Sequence, residues 1–292
     1  MRLFKGSGVA LITPFKNGEV DYERLTKLID FHLYNETDAL IIAGTTGEAS
    51  TLSNDEKRRL YEFTTNYVDG RIPVIAGTGG NNTKDVIELS KFAESVGCDG
   101  LLIVTPYYNK TTQEGLVTHF TKVADQVNIP IIMYNVPSRT GLNMKPSTVK
   151  LLAEHPNITG IKEASGDITQ ITEIAKFCDG NFYLYSGNDD HILPVLALGG
   201  KGVISVVANI LPKDIHELCY AYFLGNIEKA RQIQLALFDF IRLLFIETNP
   251  IPVKAAMKLL GLDSGEVRLP LVNMTEKNRE LLINEMKKLG LL

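Results

Sequence analysis

Eight short apolar runs, each closed by a turn residue, limit how this chain can fold more than any other feature. They are VALIT (9–13), ALIIAG (39–44), PVIAG (73–77), GLLIVT (100–105), PIIMYN (130–135), ITGIK (158–162), YLYSG (183–187) and GVISV (202–206). Each is rich in Val or Ile and bounded by Gly, Pro, Thr or Asn, as strands buried on both faces are. Amphipathic stretches of helical length lie between them. DYERLTKLIDFHL puts Leu25, Leu28, Ile29 and Leu33 on one stripe, Ser53 with Glu56 reads as a capping box, Gly97 as a helix stop and Asp167 as an N-cap. Strand alternating with helix eight times predicts a (β/α)8 TIM barrel. An open doubly wound sheet shares the alternation, but its early phosphate-binding glycine fingerprint is missing from the first turn. After Gly225 the strand signals stop. The chain therefore divides into a barrel over residues 1–225 and a C-terminal helical extension over 226–292, some of whose apolar faces are available for a subunit contact.

Composition narrows the function. Of 292 residues 45% are hydrophobic and 22% charged, with a net charge of −4, which argues against a nucleic-acid partner. Neither a secretory leader nor a membrane-spanning run is expected. Cys98, Cys178 and Cys219 form no CxxC, so a reducing cytoplasm is the expected location. The five histidines show no HxH or HExxH spacing, and no metal site is expected.

The sixth run ends in a lysine, Lys162. Alternation along a strand puts Ile158, Gly160 and Lys162 on one face and Thr159, Ile161 and Glu163 on the other. With Ile161 against the helices, Lys162 points into the barrel mouth, and Gly160 beneath it leaves room for its stem. Burial lowers the pKa of such an amine, and the neutral form attacks ketones to give a Schiff base. A salt bridge is the alternative for a lone strand-end lysine. Other strand ends weigh against it: GTTGE (44–48), TPYYNK (105–110), YNVPSRTG (134–141) and SGND (186–189) bring hydroxyls, a phenol and a guanidinium to the same rim. Tyr134 can pass protons, the GTTG turn offers N–H groups to an oxyanion, and Arg139 presents a planar fork to a carboxylate.

Together these motifs resemble the dihydrodipicolinate synthase family of pyruvate-dependent class I aldolases. The likeness runs from GSGVALITPF through GTTGEA, VTPYYNK, YNVPSRTG and GIKEASG to ETNPIPVKAAM and RLPL. It implies Schiff-base condensation of pyruvate with L-aspartate-4-semialdehyde, on the route to diaminopimelate and lysine, without a cofactor. Lys162 matches the Schiff-base lysine. Tyr134, Thr45 and Tyr108 match a proton relay, with Tyr108 supplied by the neighbouring subunit of a tight dimer. Thr46 matches the residue that binds the pyruvate carboxylate, and Arg139 the one that positions the semialdehyde carboxylate. Gly187 and Ile204 match residues lining the pocket through their backbone. A homotetramer of two tight dimers, or a dimer, is implied. The family's lysine-effector positions correspond to Ala49, Asn54, Lys57, Asn81, Asp85 and Tyr107. Lys57 replaces a histidine there, so weak or absent lysine inhibition is expected. The alternatives are a pyruvate-dependent aldolase acting on a sugar acid through the same lysine, a pyridoxal-phosphate barrel, and a non-catalytic 2-keto-acid-binding barrel.

Overall fold

The computed structural model describes residues 3–178 and 180–292. Among these, eight parallel strands close into a barrel. They are β1 (Gly6–Ala10), β2 (Ala39–Ile42), β3 (Val74–Gly77), β4 (Gly100–Val104), β5 (Ile131–Asn135), β6 (Ile158–Glu163), β7 (Tyr183–Ser186) and β8 (Gly202–Ser205), with β8 pairing back onto β1. Closure settles the choice between barrel and open sheet. Parallel neighbours need a crossover, and helices supply it: α1 (Tyr22–Tyr34), α2 (Asn54–Val68), α3 (Thr83–Ser95), α4 (Gln113–Ala124), the short α5 (Pro137–Thr140), α6 (Pro146–Leu152), α7 (Ile168–Ala175), α8 (Ile192–Ala197) and α9 (Pro212–Phe223). The Ser53–Glu56 capping box forms, Asp167 accepts the N–H groups of Thr169 and Gln170, and Gly97 follows α3 with φ +88°.

Two corrections concern strand phase. The first strand occupies Gly6–Ala10 rather than 9–13, because the Asn209 side chain takes over the backbone beyond it. Its Oδ1 accepts from Ile12 N–H at 3.1 Å and its Nδ2 donates to Ala10 O at 2.8 Å. In β6 the register against β5 shifts between Ile131 and Ile132, which face Ile158 and Gly160. The extra residue puts Ile158 in the outer apolar layer with Ile161, so simple alternation holds only from Gly160 onward.

Alternating strand residues fill two apolar layers. One packs between strands and helices; the other fills the barrel with Ile41, Ile75, Leu102, Ile132, Tyr185 and Ile204. Phe4 stacks on Tyr185 with ring centroids 4.5 Å apart and accepts its hydroxyl at 2.7 Å through the backbone carbonyl, closing the N-terminal end.

Past α9 come α10 (Ile227–Ala236), α11 (Phe238–Leu243), α12 (Ile251–Leu259) and α13 (Glu276–Lys288). The sequence reads 226–247 as one helix; it turns at Leu237 instead. Backbone bonds continue across the turn, from Leu237 N–H to Ile233 O and from Ile241 N–H to Leu237 O, and Phe240 and Ile241 are buried in the core. No helix among the described residues is long and apolar enough to cross a membrane.

Candidate active site

The site is built where β5 and β6 run side by side. Their register sets Tyr134 opposite Lys162 and Asn135 opposite Glu163. The inner members, Tyr134 and Lys162, face the barrel mouth. The outer members hydrogen-bond each other, Asn135 Nδ2 donating to Glu163 Oε2 at 3.0 Å, and that lock is completed by Ser165 N–H to Glu163 Oε1 at 2.7 Å.

Lys162 is 4% exposed and its Nζ lies 4.5 Å from the Tyr134 ring centroid. No carboxylate among the described residues sits within ion-pair distance of it. Burial pushes its pKa down to about 8; the Asp189 carboxylate opposes this and the Arg139 guanidinium reinforces it. Space for the stem comes from Gly187 rather than Gly160. A Cβ on Gly187 would stand 3.1 Å from Lys162 Cε and 2.6 Å from Ala164 Cβ, whereas one on Gly160 would strike the Tyr183 carbonyl at 2.8 Å. The expectation for Gly160 is thus corrected: it accommodates the neighbouring strand, and the lysine's clearance is provided by the turn after β7.

A cavity of about 530 Å³ opens above Lys162. It is lined by Thr45, Thr46, Tyr134, Arg139 and Gly187, by Asn188 and Val206, and by Phe245 to Asn249 of the C-terminal extension. Burial raises the Tyr134 phenol, while Arg139 and the facing Thr45 hydroxyl draw it back down. Thr46 is buried and accepts from Asn249 Nδ2 at 2.9 Å. Arg139, exposed on α5, donates from Nη2 to Asn249 O at 3.2 Å. Lys162, Tyr134, Thr45, Thr46, Arg139 and Gly187 therefore share one cavity. Ile204 does not line it; its side chain lies in the barrel interior, and Val206 borders the cavity instead.

Tyr108 does not reach Lys162 within the chain. It is 91% exposed at φ +68°, a left-handed backbone that a bulky residue adopts only at a cost. With Tyr107 it borders a second cavity of about 620 Å³, which shares Thr45, Tyr134 and Arg139 with the first. Ala49 and Lys57 also line this second cavity, whereas Asn54, Asn81 and Asp85 do not. Burial lowers the Lys57 ammonium, and the Asp85 carboxylate partly offsets that.

A buried amine, a phenol and two adjacent threonines thus meet in one cavity at the barrel mouth. The family model described as the Dihydrodipicolinate synthetase family matches residues 3–289. The chain belongs to that family. It is 58% identical over 292 residues to the 4-hydroxy-tetrahydrodipicolinate synthase of Caldicellulosiruptor bescii, covering 100% of this chain and 99% of the relative. The dihydrodipicolinate synthase structure from Thermotoga maritima superimposes with a TM-score of 0.97 at 48% identity, covering 100% of both chains. A chloride-inhibited dihydrodipicolinate synthase from Acinetobacter baumannii, solved complexed with pyruvate, has a TM-score of 0.96 at 42% identity over 99% of each chain.

Some residues of this family member's site escaped the sequence reading. Asp189 is one: buried, its Oδ2 accepts from the N–H groups of Val206 and Val207 at 2.9 and 3.1 Å, placing a carboxylate in the electrostatic field of Lys162. Its neighbourhood was visible in SGND. Asn249, which lines the cavity and holds Thr46, is another, and no spacing rule links two residues 203 positions apart.

Proposed function

We propose that this family member condenses pyruvate with L-aspartate-4-semialdehyde to form 4-hydroxy-tetrahydrodipicolinate in the cytoplasm. The observation that carries the reading is Lys162: buried, unpaired, and facing a cavity with hydroxyls on one side and a guanidinium on the other. Near pH 7 a pKa of about 8 leaves roughly a tenth of the amine neutral, against about 0.03% at an ordinary lysine value. The neutral nitrogen attacks the ketone carbon of pyruvate. Loss of water gives an iminium, which acts as the electron sink when a methyl proton is removed. The resulting enamine carbon bonds to the aldehyde carbon of the semialdehyde. The substrate's own amine then displaces Lys162 by transimination, freeing the lysine and closing the six-membered ring.

Tyr134 and Thr45 would carry protons to and from the carbinolamine oxygen. Thr46 would hold the pyruvate carboxylate, and Arg139 that of the semialdehyde, as a bidentate fork suits. Tyr108 would complete the relay from the partner subunit of a tight dimer, which accounts for a large phenol left exposed in a strained backbone. Pairs of such dimers would form the tetramer, and exposed Ile168, Leu235 and Phe238 offer apolar surface for it. Because Lys57 and Tyr107 border the second cavity, a fixed cation would face an incoming lysine ammonium. L-lysine is expected not to inhibit at sub-millimolar concentration; inhibition there would refute this part.

Borohydride reduction with pyruvate, followed by peptide mapping, tests the chemistry. The expected label is on Lys162, and a label elsewhere overturns the mechanism. Steady-state rates with pyruvate plus the semialdehyde, against pyruvate plus N-acetylmannosamine, decide between the synthase and a sugar-acid aldolase.

A further inference from the structure

The turn that carries Thr45 and Thr46 is held from a distance, and what holds it is an ion pair that the chemistry above does not use. Glu48 ends the GTTGE turn at φ +54°, a left-handed backbone unusual for glutamate, and is 3% exposed. Such a conformation persists where its surroundings over-determine it. Here they do. Glu48 Oε1 accepts from Lys254 Nζ at 2.7 Å, and Oε2 accepts from Arg268 N–H at 3.0 Å. Lys254, fully buried on α12, also donates to Thr13 O at 2.8 Å, and the Thr13 hydroxyl donates to Gly47 O at 2.7 Å within the same turn. One turn earlier in the extension, Asn249 Nδ2 donates to Thr46 Oγ1. Thr46 itself and the C-terminal side of the turn, Gly47 and Glu48, are therefore braced by the segment 249–268.

A fully buried ion pair is weak evidence for stability, because desolvating two charges offsets most of their attraction, and apolar residues of similar volume often serve the fold as well. This pair's geometry suits a different task. We propose that Glu48 and Lys254 are positioning residues of the reaction, holding the Thr45–Thr46 turn against the C-terminal helices so that both hydroxyls stay aimed into the Lys162 cavity. The proposal rests on the pyruvate-imine reading of that cavity. It makes the extension part of the carboxylate grip, although no residue of the ion pair touches the substrate.

The test is the double variant Glu48→Gln/Lys254→Met, which removes both charges while the new amide keeps an acceptor for Arg268 N–H. Initial rates of borohydride trapping are measured against pyruvate concentration, beside a thermal melt. The expected result is a near wild-type melting temperature with half-saturating pyruvate raised about tenfold, the size of a lost charge-assisted hydrogen bond, and the limiting trapping rate lowered far less. Both constants within twofold of wild type in a folded protein overturn the proposal. Should the double variant not fold, Glu48→Asp keeps the charge but draws the carboxylate back by one methylene from Lys254 and Arg268; the same rise in half-saturation supports the proposal, and an unchanged value overturns it. Wild-type protein that forms no pyruvate adduct at all sinks the imine reading instead, so the two failures are told apart.

Discussion

Two lysines of this barrel are almost completely buried and have opposite fates. Lys162 and Lys254 each hold their amine over an aromatic ring, at 4.5 Å from Tyr134 and 4.3 Å from Phe15. Burial lowers both pKa values. Lys254 is fully buried and donates on two sides, to the Glu48 carboxylate and the Thr13 carbonyl. Lys162 has a cavity in front of it and no ion-pair partner among the described residues. Burial alone thus does not make a lysine nucleophilic. The amine proposed as the nucleophile combines desolvation with an open cavity, and the other sets the same desolvation against an ion pair.

The largest effect that could break this comparison is at Lys162 itself. Lys162→Met is expected to abolish the borohydride-trapped pyruvate adduct and lower kcat by about 10⁴-fold or more, as losing a covalent nucleophile does. It is also expected to stabilise the fold by about 1–3 kcal/mol in urea denaturation, because an unpaired buried ammonium is exchanged for an apolar chain of similar volume. A variant that loses stability would mean that Lys162 is paired after all.

Lys254→Met sharpens the contrast from the other side. Removing one partner leaves Glu48 buried without its counter-charge, and a loss of about 3–5 kcal/mol is expected in the same denaturation series. The identical substitution at two buried lysines should therefore change stability with opposite sign. Equal signs would show that burial, and not pairing, governs both.

The pH dependence separates the two amines without mutation. As the proposed nucleophile Lys162 must be neutral, so the trapping rate with pyruvate should rise about tenfold per pH unit below its midpoint and flatten above about pH 8. Stability carries the same sign. The folded pKa lies below that of the unfolded lysine, so between about pH 8 and the unfolded value the unfolded chain binds more protons, and this group's contribution to stability increases with pH. A trapping profile that keeps climbing to pH 10 would show an unperturbed amine.

How much of this could be read from the sequence depends on range. Strand periodicity marked all eight strands and put Lys162 at the mouth, because alternation is local and both faces of a barrel strand are apolar. The β6 register shift was not legible; one extra residue leaves no compositional trace, and it moved Ile158 to the outer face. Gly160 was assigned the clearance that Gly187 provides, since which neighbour a missing Cβ spares depends on the adjacent strand. Glu48 stood in plain view within GTTGE. Its meaning depended on Lys254, which sequence places in an ordinary amphipathic helix and folding brings under the turn.

The smallest expected effect tests how finely Lys162 is tuned. Arg139 lies outside ion-pair range of any carboxylate among the described residues, and its charge disfavours a second cation at Lys162. Arg139→Ala should leave imine formation with pyruvate close to wild type at saturating pH, because Thr46, Thr45 and Tyr134, the groups proposed to serve that step, remain. The midpoint of the trapping profile should move to higher pH, since a repulsive charge is gone while the attraction of Asp189 persists. Use of the semialdehyde should suffer more, by roughly tenfold or greater in kcat/KM, if Arg139 grips its carboxylate. A midpoint that moves to lower pH would mean that Arg139 acts on Lys162 chiefly by admitting water to the cavity, and the contrast between the two lysines would then rest on hydration instead of partners.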